Sequence, residues 1–198
     1  MYNLGLTPLF KQISNKQKTR IFRPVEIQAI RKILKEEKRK QFDVLLVTGM
    51  RFIEFKRFYY HPEWIDNNGR FIHLPIGAVK KKRTEFKSRS VRLSSLGAEL
   101  VPRLFETNKL TKSRGCWDSL LKRVAIKAEL NPEGISVKST RKTWESWLLA
   151  KYSKRALEIW SSQGHNDVVS YKHYMNTAFI ESDLKDMEFW TAGYFPDD

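Results

Sequence analysis

Apolar positions recur at helical spacing along most of this chain, and one stretch near the middle switches to strand-like alternation. After Pro24, which suits a first helical turn, Val25, Ile27, Ile30, Ile33 and Leu34 keep roughly a 3.6-residue period. The charged run 35–40 reads as a solvated helix face. The apolar stretch 42–47 predicts a buried helix running toward Thr48-Gly49, and a further helical segment carries Arg51 and Glu54 on one face. Asn67-Asn68-Gly69 signals a turn. Phe71-Ile72-His73-Leu74 and Ser90-Val91-Arg92-Leu93 predict two short strands, with the basic run 80–89 as the tip of a hairpin between them. Helical patterning returns over 98–105, 117–129, 140–152 and 154–161, with Asn131-Pro132-Glu133-Gly134 as a loop. The final stretch mixes acids with Leu184, Met187, Phe189, Trp190, Tyr194 and Phe195, too apolar for a disordered tail, and is expected to pack on something. The pattern therefore predicts a mainly α fold with a small antiparallel β-sheet or hairpin.

Composition narrows the partners. The 198 residues fit one domain with arms, and 41% hydrophobic content can build a core. Lys plus Arg number 37 against 22 Asp plus Glu, a net charge of +15 and a pI near 9.9. A globular chain that basic faces a polyanion, because each phosphate it neutralises releases a counterion. No apolar run approaches the roughly 20 residues of a membrane-spanning helix, and no signal-peptide pattern opens the chain. Cys116, the single cysteine, allows no internal disulfide and suits a reducing, cytoplasmic compartment. The four histidines (61, 73, 165 and 173) lack metal-site spacing, and no Gly-rich phosphate loop is present. No metal and no cofactor are expected.

Two arginine segments stand out, Thr48-Gly49-Met50-Arg51-Phe52-Ile53-Glu54 and Lys138-Ser139-Thr140-Arg141. Each arginine sits near the start of an apolar helix, where a planar guanidinium can be held rigidly against the non-bridging oxygens of a phosphodiester. Glu54 is either an ordinary helix pair for Arg51 or a group that orients its guanidinium. A leaving 5′ oxygen needs a proton, which a hairpin lysine can supply, Lys81 first, with Lys80, Lys82, Arg83 and Lys87 as phosphate-attracting neighbours. A phenol can take the phosphoryl group, and Tyr171 and Tyr174 both follow Gly164-His165. His165 can contact the phosphate or accept the phenolic proton.

Together these segments resemble the catalytic domain of the tyrosine recombinase (phage integrase) family. The first segment looks like its TGxRxxE box. Lys138-Ser139-Thr140-Arg141 looks like its HxxR box, and Gly164-His165 with Tyr174 nine residues on looks like its GH…Y ending. The basic hairpin falls where the family places its catalytic lysine. The resemblance covers roughly residues 20–178 and implies roles: Arg51 and Arg141 clamp the scissile phosphate, a hairpin lysine protonates the leaving oxygen, and His165 assists. Tyr174, chosen over Tyr171 on family spacing, forms a 3′-phosphotyrosine link. Lys138 stands where the family usually has histidine, which is similar to integrases of archaeal viruses and plasmids. It would mainly add positive charge there.

The expected organisation is a basic N-terminal arm at 1–20, the catalytic domain at 21–178, and a tail at 179–198 that packs in cis or on a neighbouring protomer. Family members usually carry an N-terminal clamp domain, so the chain reads as a catalytic fragment or a short integrase. The expected partner is double-stranded DNA carrying attachment-type sites, with a homo-tetramer assembled on it. The alternatives are a type IB topoisomerase-like relaxing enzyme and a non-catalytic DNA-binding protein.

Overall fold

The structure, a computed structural model, describes residues 19–78, 88–164 and 179–196. Its elements are helices α1 (Pro24–Ile33), α2 (Glu36–Thr48) and α3 (Phe52–Phe58), strands β1 (Phe71–Leu74) and β2 (Arg89–Arg92), then helices α4 (Ser95–Leu100), α5 (Arg114–Lys127), α6 (Val137–Lys151), α7 (Ala156–Gln163) and α8 (Glu181–Thr191). The fold is thus mainly α with a two-stranded antiparallel sheet, as the hydrophobic pattern requires.

Two helices form the centre. From Gln41 to Thr48 every residue of α2 is buried, and α6 is buried from Thr143 to Leu148. A helix buried on all sides belongs in the middle of a core, and α2 and α6 pack on each other with α4, α5, α7 and α8 around them. Trp117, Trp144 and Trp147 are fully buried. Burying a side chain of that size contributes roughly 2–3 kcal/mol each, which makes the frame around α6 stiff. The chain ahead of α1 is tied to the same helix. The Phe22 N–H donates to Thr143 Oγ1 (2.8 Å), and the Trp147 indole donates to the Phe22 carbonyl (3.1 Å). Arg20, at the end of the expected arm, is likewise anchored, to the Asn131 carbonyl and to Glu26.

Local differences from the pattern have physical causes. In α1 the buried stripe is Ile27 and Ile30, continued by Leu34. Val25 falls on the opposite side of the helical wheel and is exposed, and Ile33 lies at the stripe's edge. The helix expected over 98–105 breaks after Leu100, because Pro102 has no N–H to give, and the chain continues as a 3₁₀ turn, Pro102–Glu106. α6 begins at Val137, three residues earlier than the apolar pattern suggests, because Ser136 caps it. Lys138 and Arg141 therefore lie in its opening turns.

The described tail residues pack on their own chain. Met187, Trp190, Tyr194 and Phe195 are buried, α8 contacts α1, α4 and α6, and Tyr152 donates to the Thr191 carbonyl at 3.0 Å. Phe189 and Leu184, also expected to pack, are 65% and 44% exposed, since Phe189 sits on the far face of α8 and Leu184 at the edge of its buried face. Among the described residues no helix is long and apolar enough to cross a membrane.

Candidate active site

Two glycine turns bring the site together. Gly49 ends α2 and Gly164 ends α7, both in the left-handed region at φ 56° and 63°, which costs glycine nothing. Their tight fit excludes a side chain: a Cβ on Gly49 would collide with Gln163, and one on Gly164 would lie 2.9 Å from Arg89 Cδ. The carbonyls at these two helix ends gather three guanidiniums. Arg141 donates to the Gly49 carbonyl (2.7 Å) and to that of Gln163. Arg51 donates to the Gly164 carbonyl at 3.0 Å, and Arg89 donates to the Ser162 carbonyl. Helix C-termini carry partial negative charge, so they are favourable seats for cations.

Glu54 supplies the ionic counterpart. It is fully buried, and its carboxylate accepts from the Arg51 backbone N–H (2.9 Å), the Arg51 side chain (2.9 Å) and Arg89 (2.6 Å). Burial alone would raise its pKa, but the charges of Arg89 and Arg51 and the backbone hydrogen bond outweigh this and hold it at about 2. Burial pulls the Arg141 guanidinium below its ordinary value, and the like charges of Arg51 and Arg89 push the same way. Even with the buried Glu145 counted beside Glu54, the three guanidiniums outnumber the carboxylates, so the cluster carries an excess of fixed positive charge.

That charge opens into a cavity of about 590 Å³ between α3 and α6. Arg51, Lys138 and Arg141 line it, with Met50, Phe52 and Val137 as an apolar floor and Lys56, Lys112, Arg114 and Lys142 as further cations. None of the described residues lining it is acidic. Lys138 is exposed and one helical turn from Arg141 and Lys142, so all three cations present on one side of α6. Such a site can hold a phosphate and stabilise charge growing on its oxygens.

The structure thus brings together Arg51, Glu54, Lys138 and Arg141. Lys80, Lys81, Lys82, Arg83, Lys87, His165, Tyr171 and Tyr174 lie outside the described residues, as do most of the N-terminal arm and the hairpin tip. Gly164 is the last described residue before His165. Among the described tyrosines, Tyr59 and Tyr152 donate to backbone carbonyls, and burial pushes the Tyr194 phenol up to about 12, so these three serve packing. Among the described residues no three His, Cys, Asp or Glu side chains group as around a metal ion.

One member of the cluster corrects the sequence reading. Arg89 belongs to β2, with a side chain only 8% exposed, and is not part of a solvent-facing basic tip. Strand alternation was the available signal. Arg89 lies two residues before the apolar Val91 and therefore shares its inner face, opposite Leu74 in the register.

These elements define the fold of tyrosine recombinase catalytic domains. The chain matches the structure of the Tn1549 transposon integrase in complex with transposon right end DNA with a TM-score of 0.60 at 15% identity, over 86% of this chain and 65% of that one. It matches the XerH site-specific recombinase bound to palindromic difH substrate, a post-cleavage complex, with a TM-score of 0.54 at 16% identity, over 91% of this chain and 55% of that one. The chain therefore spans less than two thirds of either structure's length. No protein-family model matches the sequence, and no curated protein matches it. The resemblance read from the motifs is met at the level of the fold.

Proposed function

We propose that the chain is the catalytic part of a site-specific DNA recombinase or integrase that cuts and rejoins duplex DNA through Tyr174. The observation that carries this reading is the convergence of Arg51, Lys138 and Arg141 on one cavity free of acidic lining, beside the turn that leads to His165. Arg51 and Arg141 hold the non-bridging oxygens of the scissile phosphate, and Lys138 adds a third positive charge. The Tyr174 phenolic oxygen forms a bond to phosphorus as the bond from phosphorus to the 5′ oxygen breaks. The phenolic proton passes to His165, and Lys81 protonates the departing 5′ oxygen. A free 5′ hydroxyl reverses the step and reseals the strand. One phosphodiester is exchanged for another of similar energy, so the cycle is complete without a high-energy cofactor.

The recombinases of the same fold are bound to DNA in their structures, and the net charge of +15 suits a duplex partner. In this reading residues 21–178 form the catalytic unit, the basic residues of 1–20 and the hairpin cations Lys80, Lys82, Arg83 and Lys87 contact phosphates, and four copies assemble on two DNA sites.

The test is a nicked suicide duplex incubated with the protein in EDTA and resolved on a denaturing gel. A slow protein–DNA band that disappears in Tyr174→Phe and persists in Tyr171→Phe is the expected result. A band lost only in Tyr171→Phe reassigns the nucleophile. Tight binding with no band in any variant makes the chain a DNA-binding protein without turnover.

A further inference from the structure

Arg89 is the one buried cation of the cluster for which the proposed reaction has no use. Its guanidinium donates to Glu54 at 2.6 Å and to the Ser162 carbonyl, and its aliphatic stem covers Gly164. One side chain thereby joins three segments: the strand that follows the basic hairpin, the helix start that presents Arg51, and the end of α7 that leads to His165. These acceptors engage both terminal nitrogens, Nε is buried without an acceptor among the described residues, and Arg89 is absent from the cavity's lining. Glu54 is shared, with one oxygen on the Arg51 side chain and the other on Arg89 and the Arg51 N–H. Loss of Arg89 would leave Glu54 free to tilt and take Arg51 with it. It would also release Ser162 and the turn at Gly164.

We propose that Arg89 is a positioning residue that sets the Arg51 guanidinium and the turn at Gly164 for strand cleavage without touching DNA. This rests on the recombinase reading above. A buried arginine that holds groups in place affects the rate of the bound complex and leaves affinity nearly untouched. A phosphate ligand would affect affinity first.

The experiment measures single-turnover formation of the covalent complex at saturating suicide duplex, and duplex affinity by fluorescence anisotropy, for the wild type, Arg89→Gln, Arg89→Lys, Glu54→Gln and Arg89→Gln/Glu54→Gln. A misplacement of the order of 1 Å is worth about 100-fold in rate, so Arg89→Gln is expected to slow cleavage by about that factor, with Kd within about threefold of wild type. The double variant is expected to be little slower than the slower single variant, because both act through one contact. The acid limb of the rate profile should move to higher pH in Arg89→Gln, a change that a merely structural role would not produce. Should Arg89→Gln fail to fold, Arg89→Lys keeps the charge but cannot span Glu54 and Ser162 together. It then carries the test, with about tenfold slower cleavage expected.

Unchanged cleavage by folded variants overturns the proposal and leaves the recombinase reading intact. Loss of affinity equal to the loss of rate also overturns it and makes Arg89 a DNA ligand. Absence of any covalent complex with wild type overturns both readings.

Discussion

Arg51 and Arg141 line the same cavity but are held there by unlike means. The Arg51 side chain is 26% exposed and forms an ion pair with Glu54, itself pinned by Arg89. Arg141 is 7% exposed, and the acceptors that hold it are backbone carbonyls at the ends of α2 and α7. Arg51 has a direct carboxylate partner, shared with Arg89, whereas the charge on Arg141 is desolvated and held directly by carbonyls. A buried charge in that condition gains most from an incoming anion. In the proposed reading the Arg51 side of the site therefore serves stability and binding together, and the Arg141 side gives up stability for binding.

That contrast can be broken by substitution. Arg141→Met removes a charge that the proposed reaction sets against the scissile phosphate but also relieves its desolvation. Covalent-complex formation should fall about 1000-fold, the size seen when a preorganised donor to developing charge is lost. Urea unfolding should show a stability change under about 1 kcal/mol, because burying a charge roughly cancels its hydrogen bonds. A loss of several kcal/mol would mean that Arg141 is as well compensated as Arg51.

Glu54→Gln attacks the other side and should unfold more easily by about 3 kcal/mol, since it leaves two guanidiniums without their carboxylate. The same contact fixes a pH dependence. Glu54 has a folded pKa of about 2 against an ordinary 4.5, so its contribution is complete above 4.5 and is lost as pH falls from there toward 2. Integrated over that window it amounts to about 3 kcal/mol. Thermal melts should show the wild type losing this increment between those pH values and Glu54→Gln losing none. Parallel curves would mean that Glu54 is not the carboxylate holding the cluster.

The smallest effect sharpens the comparison. Inorganic phosphate at tens of millimolar should raise the wild-type Tm by a few degrees, equivalent to about 1 kcal/mol. The rise should vanish in Arg141→Met, where the uncompensated charge is gone. An equal rise in both would place the anion elsewhere.

Much of this arrangement was legible along the chain. Helical periodicity marks α1 and strand alternation marks β1 and β2, because each buries one repeating set of positions, whereas α2 shows as a continuous apolar run because it is buried on all sides. Arg51 and Arg141 were legible because each lies near the start of an apolar helix within a family-like segment, whereas the left-handed caps at Gly49 and Gly164 came from the structure. Arg89 was hidden by its neighbours. A cation at the end of the basic run 80–89 looks solvated; alternation with Val91 gives its face, and the tertiary contacts with Glu54 and Ser162 bury it. Glu54 was readable as a partner for Arg51, but its second partner comes from a strand 35 residues away.

By itself the sequence determined the element order, the helix-rich fold, the positive charge and the identity of the two arginines, because these depend on local periodicity and composition. Tertiary structure decided which cations share a carboxylate, which are buried, and that the ends of α2 and α7 meet around them. Those properties depend on desolvation and on contacts between segments distant in the chain, and neither is set by any one stretch of residues.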